Sequence, residues 1–301
     1  MTRIASAPGK IVLAGEYAVL WGAPAVCMAV DRRAVATVSD SVDGLCRVTT
    51  PGFEGDDPFR IVDAVTDGVR PACDLELDTS AFMSDGRKTG IGSSAALTVA
   101  LLAALENSTD VYLEAMAAHS RLQRGMGSGV DVAAAVHGGL FEYEMNARTV
   151  RPLSWPEDLV FRIIWTGVSA STATKLSRLA DREDHPSRAA LVQAASRICD
   201  AWRAADASGI LAEYAGYIAI LREFSVDHDL GIFDAGHDEL TDAAMRDGLV
   251  YKPAGAGGGD IGTLFGQSEA ALDAFVERHA GLVRGVLPCR LEAQGVRLEQ
   301  Q

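Results

Sequence analysis

Apolar residues along this chain follow two rhythms. Through the first fifty positions they come in short β-branched runs cut by glycine and proline, the mark of strands joined by tight turns. This predicts a turn at Ser6-Ala7-Pro8-Gly9-Lys10, strands over 11–14 and 18–26, and further strands over 28–39 and 45–50. Residues 74–82 alternate in part, with Leu75 and Leu77 apolar between Glu76 and Asp78, and read as one more strand. The rhythm then lengthens. Leu97 to Leu105 is an unbroken apolar run of helical composition, and 110–123 carries apolar residues at helical spacing. An apolar segment at 132–136 stops at Gly138-Gly139, and Leu140 to Glu144 reads as a strand. A second set of elements follows: a strand at 159–165, helices through 173–247, strands at 250–252 and 261–265, a helix at 268–280 and a strand near 282–288. The polar stretch 146–158, with two prolines, marks the expected boundary between domains. No internal repeat or low-complexity tract interrupts the pattern.

Composition narrows the class. With 301 residues the chain holds one large domain or two of ordinary size, and 48% hydrophobic residues provide a real core. A net charge of −14 argues against nucleic-acid or anionic-membrane binding, both of which need a basic face. It also means that an anionic substrate would need locally gathered lysine and arginine. The five cysteines are scattered and lack CxxC spacing, so reduced thiols are expected rather than a disulfide framework or a zinc site. The N-terminus lacks an apolar signal region and no stretch reaches the length of a membrane span, so a cytoplasmic location is expected.

Candidate chemistry centres on Lys88-Thr89-Gly90-Ile91-Gly92-Ser93-Ser94-Ala95-Ala96, at the mouth of the long apolar run. The first N–H groups of a helix have no intrahelical partners and the helix dipole adds positive charge there, so an anion fits. Gly90 and Gly92 permit close backbone approach, and Ser93 and Ser94 offer hydroxyls. Taken alone, the same residues describe an ordinary capped core helix. No glycine pair satisfies GxxxxGK[ST]. Gly90-x-Gly92-x-x-Ala95 fits the relaxed dinucleotide fingerprint, but Ser84 to Lys88 separates it from the preceding strand, and no strand ending in an acidic residue follows about 20 positions later. Two more glycine clusters, at 125–129 and 255–259, carry Ser128, Asp131 and Asp260 beside them.

The segments SAPGKIVLAGEYAVLWGAPAV, KTGIGSSAALTVALLAAL and KPAGAGGGDIGTLFG stand in the order and spacing of the three GHMP kinase motifs, and the chain resembles that family across both ends and the middle. Within the family it is most similar to the phosphomevalonate kinase branch. Gly15-Glu16-Tyr17-Ala18, Lys88, GSGVDVAAAVHGG at 127–139, WTGVSAST at 165–172 and Gly259-Asp260 carry that similarity. Mevalonate kinases typically have histidine after the glutamate and a further glycine in place of Asp260. The resemblance implies an α/β (α+β) two-domain GHMP fold. It has an N-terminal ATP-binding domain over 1–155, like domain 2 of ribosomal protein S5, and a C-terminal ferredoxin-like domain over 156–301, with the active site in the cleft between them.

By the same resemblance, Lys88, Gly90, Gly92, Ser93, Ser94 and Ala95 hold the ATP phosphates, and Ser94 ligates Mg²⁺. Asp131 is the catalytic aspartate and Lys10 the lysine that favours its ionised form. Glu16, Tyr17, Ser128, Ser171, Thr172, Gly257, Gly258 and Asp260 are implied for substrate. Ser171 and Thr172 taken singly are ordinary helix caps, and Asp260 taken singly is a turn former. One departure bears on the acceptor. Mevalonate kinases usually carry a Mg²⁺-ligating glutamate on the helix before the catalytic aspartate, whereas 117–129 contains no carboxylate and carries His119, Arg121 and Arg124. Those cations are either a solvated helix end or local charge for a second phosphate.

The expected function is therefore ATP-dependent phosphorylation of 5-phosphomevalonate to the diphosphate by a monomer or homodimer. The alternatives are mevalonate kinase, another small-molecule kinase of the family, a related decarboxylase, or a non-catalytic ligand sensor.

Overall fold

The computed structural model describes residues 2–52, 59–170, 172–180 and 185–300. The chain opens on strand β1 (Arg3–Ala14), which runs straight through the predicted turn at 6–10. Proline is tolerated there near a sheet margin. Gly9 leaves room where a Cβ would lie 2.6 Å from the Ile91 carbonyl oxygen and 2.7 Å from the Phe82 ring. Two of the expected short strands, 18–26 and 28–39, resolve differently. A 3₁₀ turn at Ala18–Trp21 precedes one long strand, β2 (Ala25–Asp40). Next come β3 (Arg47–Thr49), helix α1 (Phe59–Val65), β4 (Cys73–Asp78) and the hairpin β5 (Met83–Ser84) with β6 (Arg87–Lys88). Helices α2 (Ser93–Glu106), α3 (Tyr112–Leu122) and α4 (Val130–His137) follow. Strands β7 (Leu140–Glu144), β8 (Thr149–Pro152) and β9 (Val160–Trp165) lead to helices α5 (Thr172–Ala180), α6 (Pro186–Ala204), α7 (Ala207–Asp227) and α8 (His237–Arg246). The remaining elements are β10 (Val250–Pro253), β11 (Ile261–Gly266), α9 (Glu269–Arg278), β12 (Gly285–Leu287) and β13 (Arg297–Leu298).

These elements form two compact units that interleave along the chain rather than dividing at one cut after 155. The first comprises Met1–Ile11, Met28–Gly139 and Arg290–Gln301; the second comprises Val12–Cys27 and Leu140–Cys289. The polar stretch 146–158 lies wholly in the second unit and contributes β8, which pairs antiparallel with β7.

In the first unit the strand order is β13-β1-β2-β4-β3. Helix α2 is its core element. Every residue from Ala95 to Ala104 is buried, as expected of a helix that is apolar all round. In the second unit, β10-β11-β9-β12 form an antiparallel sheet. Ile164, Tyr251 and Leu264 of that sheet share a core with Leu240 and Ala244 of α8 and with Leu272 and Phe275 of α9. Trp202 of α6 and Tyr214 of α7 meet Phe265 of β11, the Tyr214 and Phe265 rings stacking at 5.3 Å. All five cysteines are free thiols, four of them buried. Among the described residues no helix is long and apolar enough to cross a membrane.

Candidate active site

The site residues of the first unit gather on two helix N-termini. Gly92 caps α2 in the left-handed conformation (φ 88°), a backbone state that glycine adopts without steric cost. Having no side chain, it provides no capping group, so the α2 entrance is lined by backbone and by the Ser93 and Ser94 hydroxyls, Ser94 being exposed. Lys10 lies across this entrance. Its backbone N–H donates to the Ile91 carbonyl at 2.8 Å, and a Cβ at Gly92 would sit 3.1 Å from its Cγ and 3.4 Å from its Cε. A glycine loop with positive φ, an uncapped helix start and a half-buried ammonium together make a receptor for a multiply charged anion. Lys88 is half-buried on β6, directly before the loop.

Gly92→Ala follows as a test of this packing. The left-handed backbone and the contact with the lysine stem together should cost about 1–2 kcal/mol of stability and displace Lys10. A thermal midpoint and a kcat both equal to those of the parent would sink this reading.

The second N-terminus is that of α4, capped by Gly129 (φ 81°) with Asp131 in its first turn. An acidic residue suits that position. The Asp131 carboxylate accepts from the Val132 N–H at 3.0 Å and faces His119 Nδ1 of α3 at 3.7 Å. His119 is buried and Asp131 is 18% exposed, so the carboxylate keeps one open side. The Ser128 hydroxyl accepts from the Val130 N–H at 3.4 Å. The two arginines after His119 differ from it. Arg121 donates to the Ala64 carbonyl at 2.9 Å and lies 3.9 Å from Asp67, and Arg124 is exposed with φ 54°. Arg121 thus braces α1, and of the three basic residues it is His119 that faces the Asp131 carboxylate.

In the second unit the third glycine cluster joins β10 to β11. Gly255, Gly257, Gly258 and Gly259 all have positive φ, and so does Asp260 at 54°. Close packing explains the absence of side chains. A Cβ would fall 2.5 Å from the Ile232 carbonyl oxygen at Gly257, and at Gly258 it would fall 2.3 Å from Lys175 Nζ. Lys175 on α5 donates to the Leu230 and Gly231 carbonyls at 2.7 and 3.1 Å, and burial lowers the pKa of its ammonium. Asp260 binds the neighbouring turn. Its N–H donates to the Val168 carbonyl at 2.6 Å and its carboxylate accepts from the Ala170 N–H at 3.3 Å. Thr172 is the first residue of α5, and Ser171 lies outside the described residues.

Glu16 and Tyr17 are buried, unlike a freely offered substrate contact. The Glu16 carboxylate is ion-paired to Lys252 and accepts from the Tyr217 hydroxyl at 2.7 Å, while the Tyr17 hydroxyl donates to the Ala256 carbonyl at 2.6 Å. Lys252 and Lys175 are not singled out by the sequence. Each acts through a partner distant in the chain, and no local motif announces such a partner.

The residues described here fit magnesium only as a nucleotide complex. No group of three or more histidine, cysteine or carboxylate side chains converges as a metal cage among the described residues, while Ser94 is exposed at the start of α2, two residues after Gly92.

Comparison with known proteins gives the family. The family profile "GHMP kinases N terminal domain" matches residues 60–139, the span that holds both helix N-termini. A phosphomevalonate kinase from Streptomyces sp. (strain CL190) is 31% identical, with 96% of each chain covered. A mevalonate kinase from Archaeoglobus fulgidus is 30% identical over 99% of this chain and 100% of its own. Streptococcus pneumoniae phosphomevalonate kinase, solved in complex with phosphomevalonate and AMPPNP, superposes with a TM-score of 0.79. It is 19% identical and covered at 94% of this chain and 99% of its own. The chain belongs to the GHMP kinases and has their fold. It is a phosphotransferase.

Proposed function

We propose that this kinase transfers the γ-phosphoryl group of ATP to the phosphate of 5-phosphomevalonate, giving 5-diphosphomevalonate and ADP, with Mg²⁺ accompanying the nucleotide. The observation that carries phosphoryl transfer is the Lys10 side chain lying over Gly92 at the start of α2, a cation beside backbone donors. Such transfer requires chiefly positioning and neutralisation of charge on the moving group. Backbone N–H groups of 92–95 and the Ser93 hydroxyl hold the nucleotide phosphates, Lys88 adds charge beside them, and Lys10 meets the negative charge of the transferring group. Ser94 would ligate the magnesium, whose chemistry is to neutralise phosphate charge. A phosphorylated acceptor fits the absence of any carboxylate from 117–129 and the presence of His119 next to Asp131. The 31% identity with a phosphomevalonate kinase along nearly the whole chain supports the same choice.

A phosphate monoester is already ionised near neutral pH and needs little deprotonation. Asp131 in this reading holds Lys10 in place and does not remove a proton. Asp131→Asn should then keep kcat within about tenfold, whereas loss of a general base costs about 10²–10⁴-fold. Steady-state rates with folding checked by circular dichroism separate the two. The acceptor itself is tested by ADP release with mevalonate, 5-phosphomevalonate and 5-diphosphomevalonate supplied in parallel. Preferred turnover of mevalonate would replace the proposed acceptor, and turnover of none would leave a ligand sensor.

A further inference from the structure

The Glu16–Lys252 pair is buried beyond the needs of an ordinary ion pair. The Lys252 side chain is 0% exposed and that of Glu16 2%. Taking both charges out of water is costly, and apolar replacement of such a pair is often neutral or stabilising, so stability alone does not account for it. Its surroundings show what it holds. The second Glu16 oxygen accepts from Tyr217, whose hydroxyl in turn accepts from the Gly15 N–H at 3.0 Å. Burial and the Glu16 charge raise the pKa of this phenol, which therefore stays a donor. Gly15 (φ 88°) leaves no space for a side chain, since a Cβ would be 2.5 Å from the Pro24 carbonyl oxygen. The next residue after the pair, Tyr17, is a bulky residue at φ 60°, a strained state that persists only when its surroundings impose it. Its hydroxyl reaches the Ala256 carbonyl inside the glycine loop, four positions beyond Lys252. The corner 15–17 and the loop 253–260 are thus fastened twice, once by the ion pair and once by the tyrosine hydroxyl.

We propose that Glu16 and Lys252 are positioning residues: their buried ion pair fixes Tyr17 and the 255–259 glycine loop in the conformation that binds the phosphoryl acceptor, without either residue touching it. The inference rests on the reading that this loop and Tyr17 serve the acceptor.

Three variants test it: Lys252→Met, the double variant Glu16→Gln with Lys252→Met, and the milder Tyr217→Phe, which keeps the pair and removes the two hydrogen bonds of the hydroxyl, to Glu16 and from the Gly15 N–H. The double variant is expected to recover the denaturation midpoint lost in Lys252→Met. Its acceptor KM should stay raised tenfold or more, with AMPPNP affinity within twofold of the parent. Hydrogen exchange at the 15–17 and 255–259 amides should be at least tenfold faster, with α2 unchanged. Tyr217→Phe should show the same pattern in smaller measure. Recovery of KM and exchange together with stability would make the pair purely structural and overturn the proposal, as would unchanged KM and exchange in folded variants. The parent protein in the same assay separates the two readings. If it turns over mevalonate instead of 5-phosphomevalonate, the acceptor assignment fails and the KM comparison proceeds with mevalonate. If it turns over neither, exchange decides the role of the pair.

Discussion

Replacing Lys10 by methionine is expected to lower kcat by about 10²–10³-fold, the loss typical when one preorganised charge-stabilising group is removed from a site of developing negative charge. The fold should survive the change, because Lys10 is half-buried and its backbone contact with Ile91 does not involve the side chain. Methionine retains most of the stem that packs over Gly92 and removes only the charge. Arginine should not rescue. Its planar fork is larger than an ammonium and does not fit where the stem already lies against the loop. Steady-state kinetics with a thermal melt on the same preparation check this, and a kcat within tenfold of the parent would remove Lys10 from the transfer step.

The second large effect concerns acid. His237, at the start of α8, is fully buried, with Nδ1 at 2.8 Å from the Tyr251 hydroxyl and Nε2 at 3.0 Å from the Gly259 carbonyl. Burial lowers its pKa from 6.5 to about 4. Lys175 and Lys252 push the same way, while Asp234 and the Gly259 carbonyl act against them. The native state therefore holds this imidazole neutral where the unfolded chain protonates it. The stabilising contribution is whole above pH 6.5 and is lost as pH falls from 6.5 toward 4, amounting to about 3 kcal/mol across that window. Urea denaturation at pH 7.5 and 4.5 should show His237→Gln less stable than the parent at the higher pH and close to it at the lower. Parallel pH dependences in the two proteins would refute the assignment.

Local features of this chain were legible from residue order. The 88–96 stretch stands out because glycines, serines and an apolar run lie side by side, although alone it also describes a capped core helix, and α2, α3, β7, β9 and β11 appear close to where periodicity puts them. What was not legible depends on partners far along the chain. The family resemblance implies Glu16 for substrate, and nothing near it in the sequence reveals a lysine 236 positions away that pairs with it. Ser6 to Lys10 reads as a turn because proline and glycine usually punctuate. Only the closeness of Phe82 and Ile91 explains why glycine is needed within a strand. The two-residue strands β5, β6 and β13 are too short to carry any period. Lys175 is held by the carbonyls of 230 and 231, more than 50 positions away, and no local pattern marks it.

The interleaving of the two units also sets an order of assembly during synthesis. The first unit is completed by the segment 290–300. In that segment β13 pairs with β1 at Ala5↔Leu298 and Ser6↔Arg297, and Arg33 donates to the carbonyls of Gln294 and Gly295. Gly295 is so close to the end of α4 that a Cβ would lie 1.9 Å from the Val136 carbonyl oxygen. A ribosome therefore releases residues 88–96 and Asp131 long before it releases β13, the edge strand of the same unit. The whole of 140–289 emerges in between. The nascent chain thus carries the 88–96 loop and Asp131 well before it carries the edge strand of their unit.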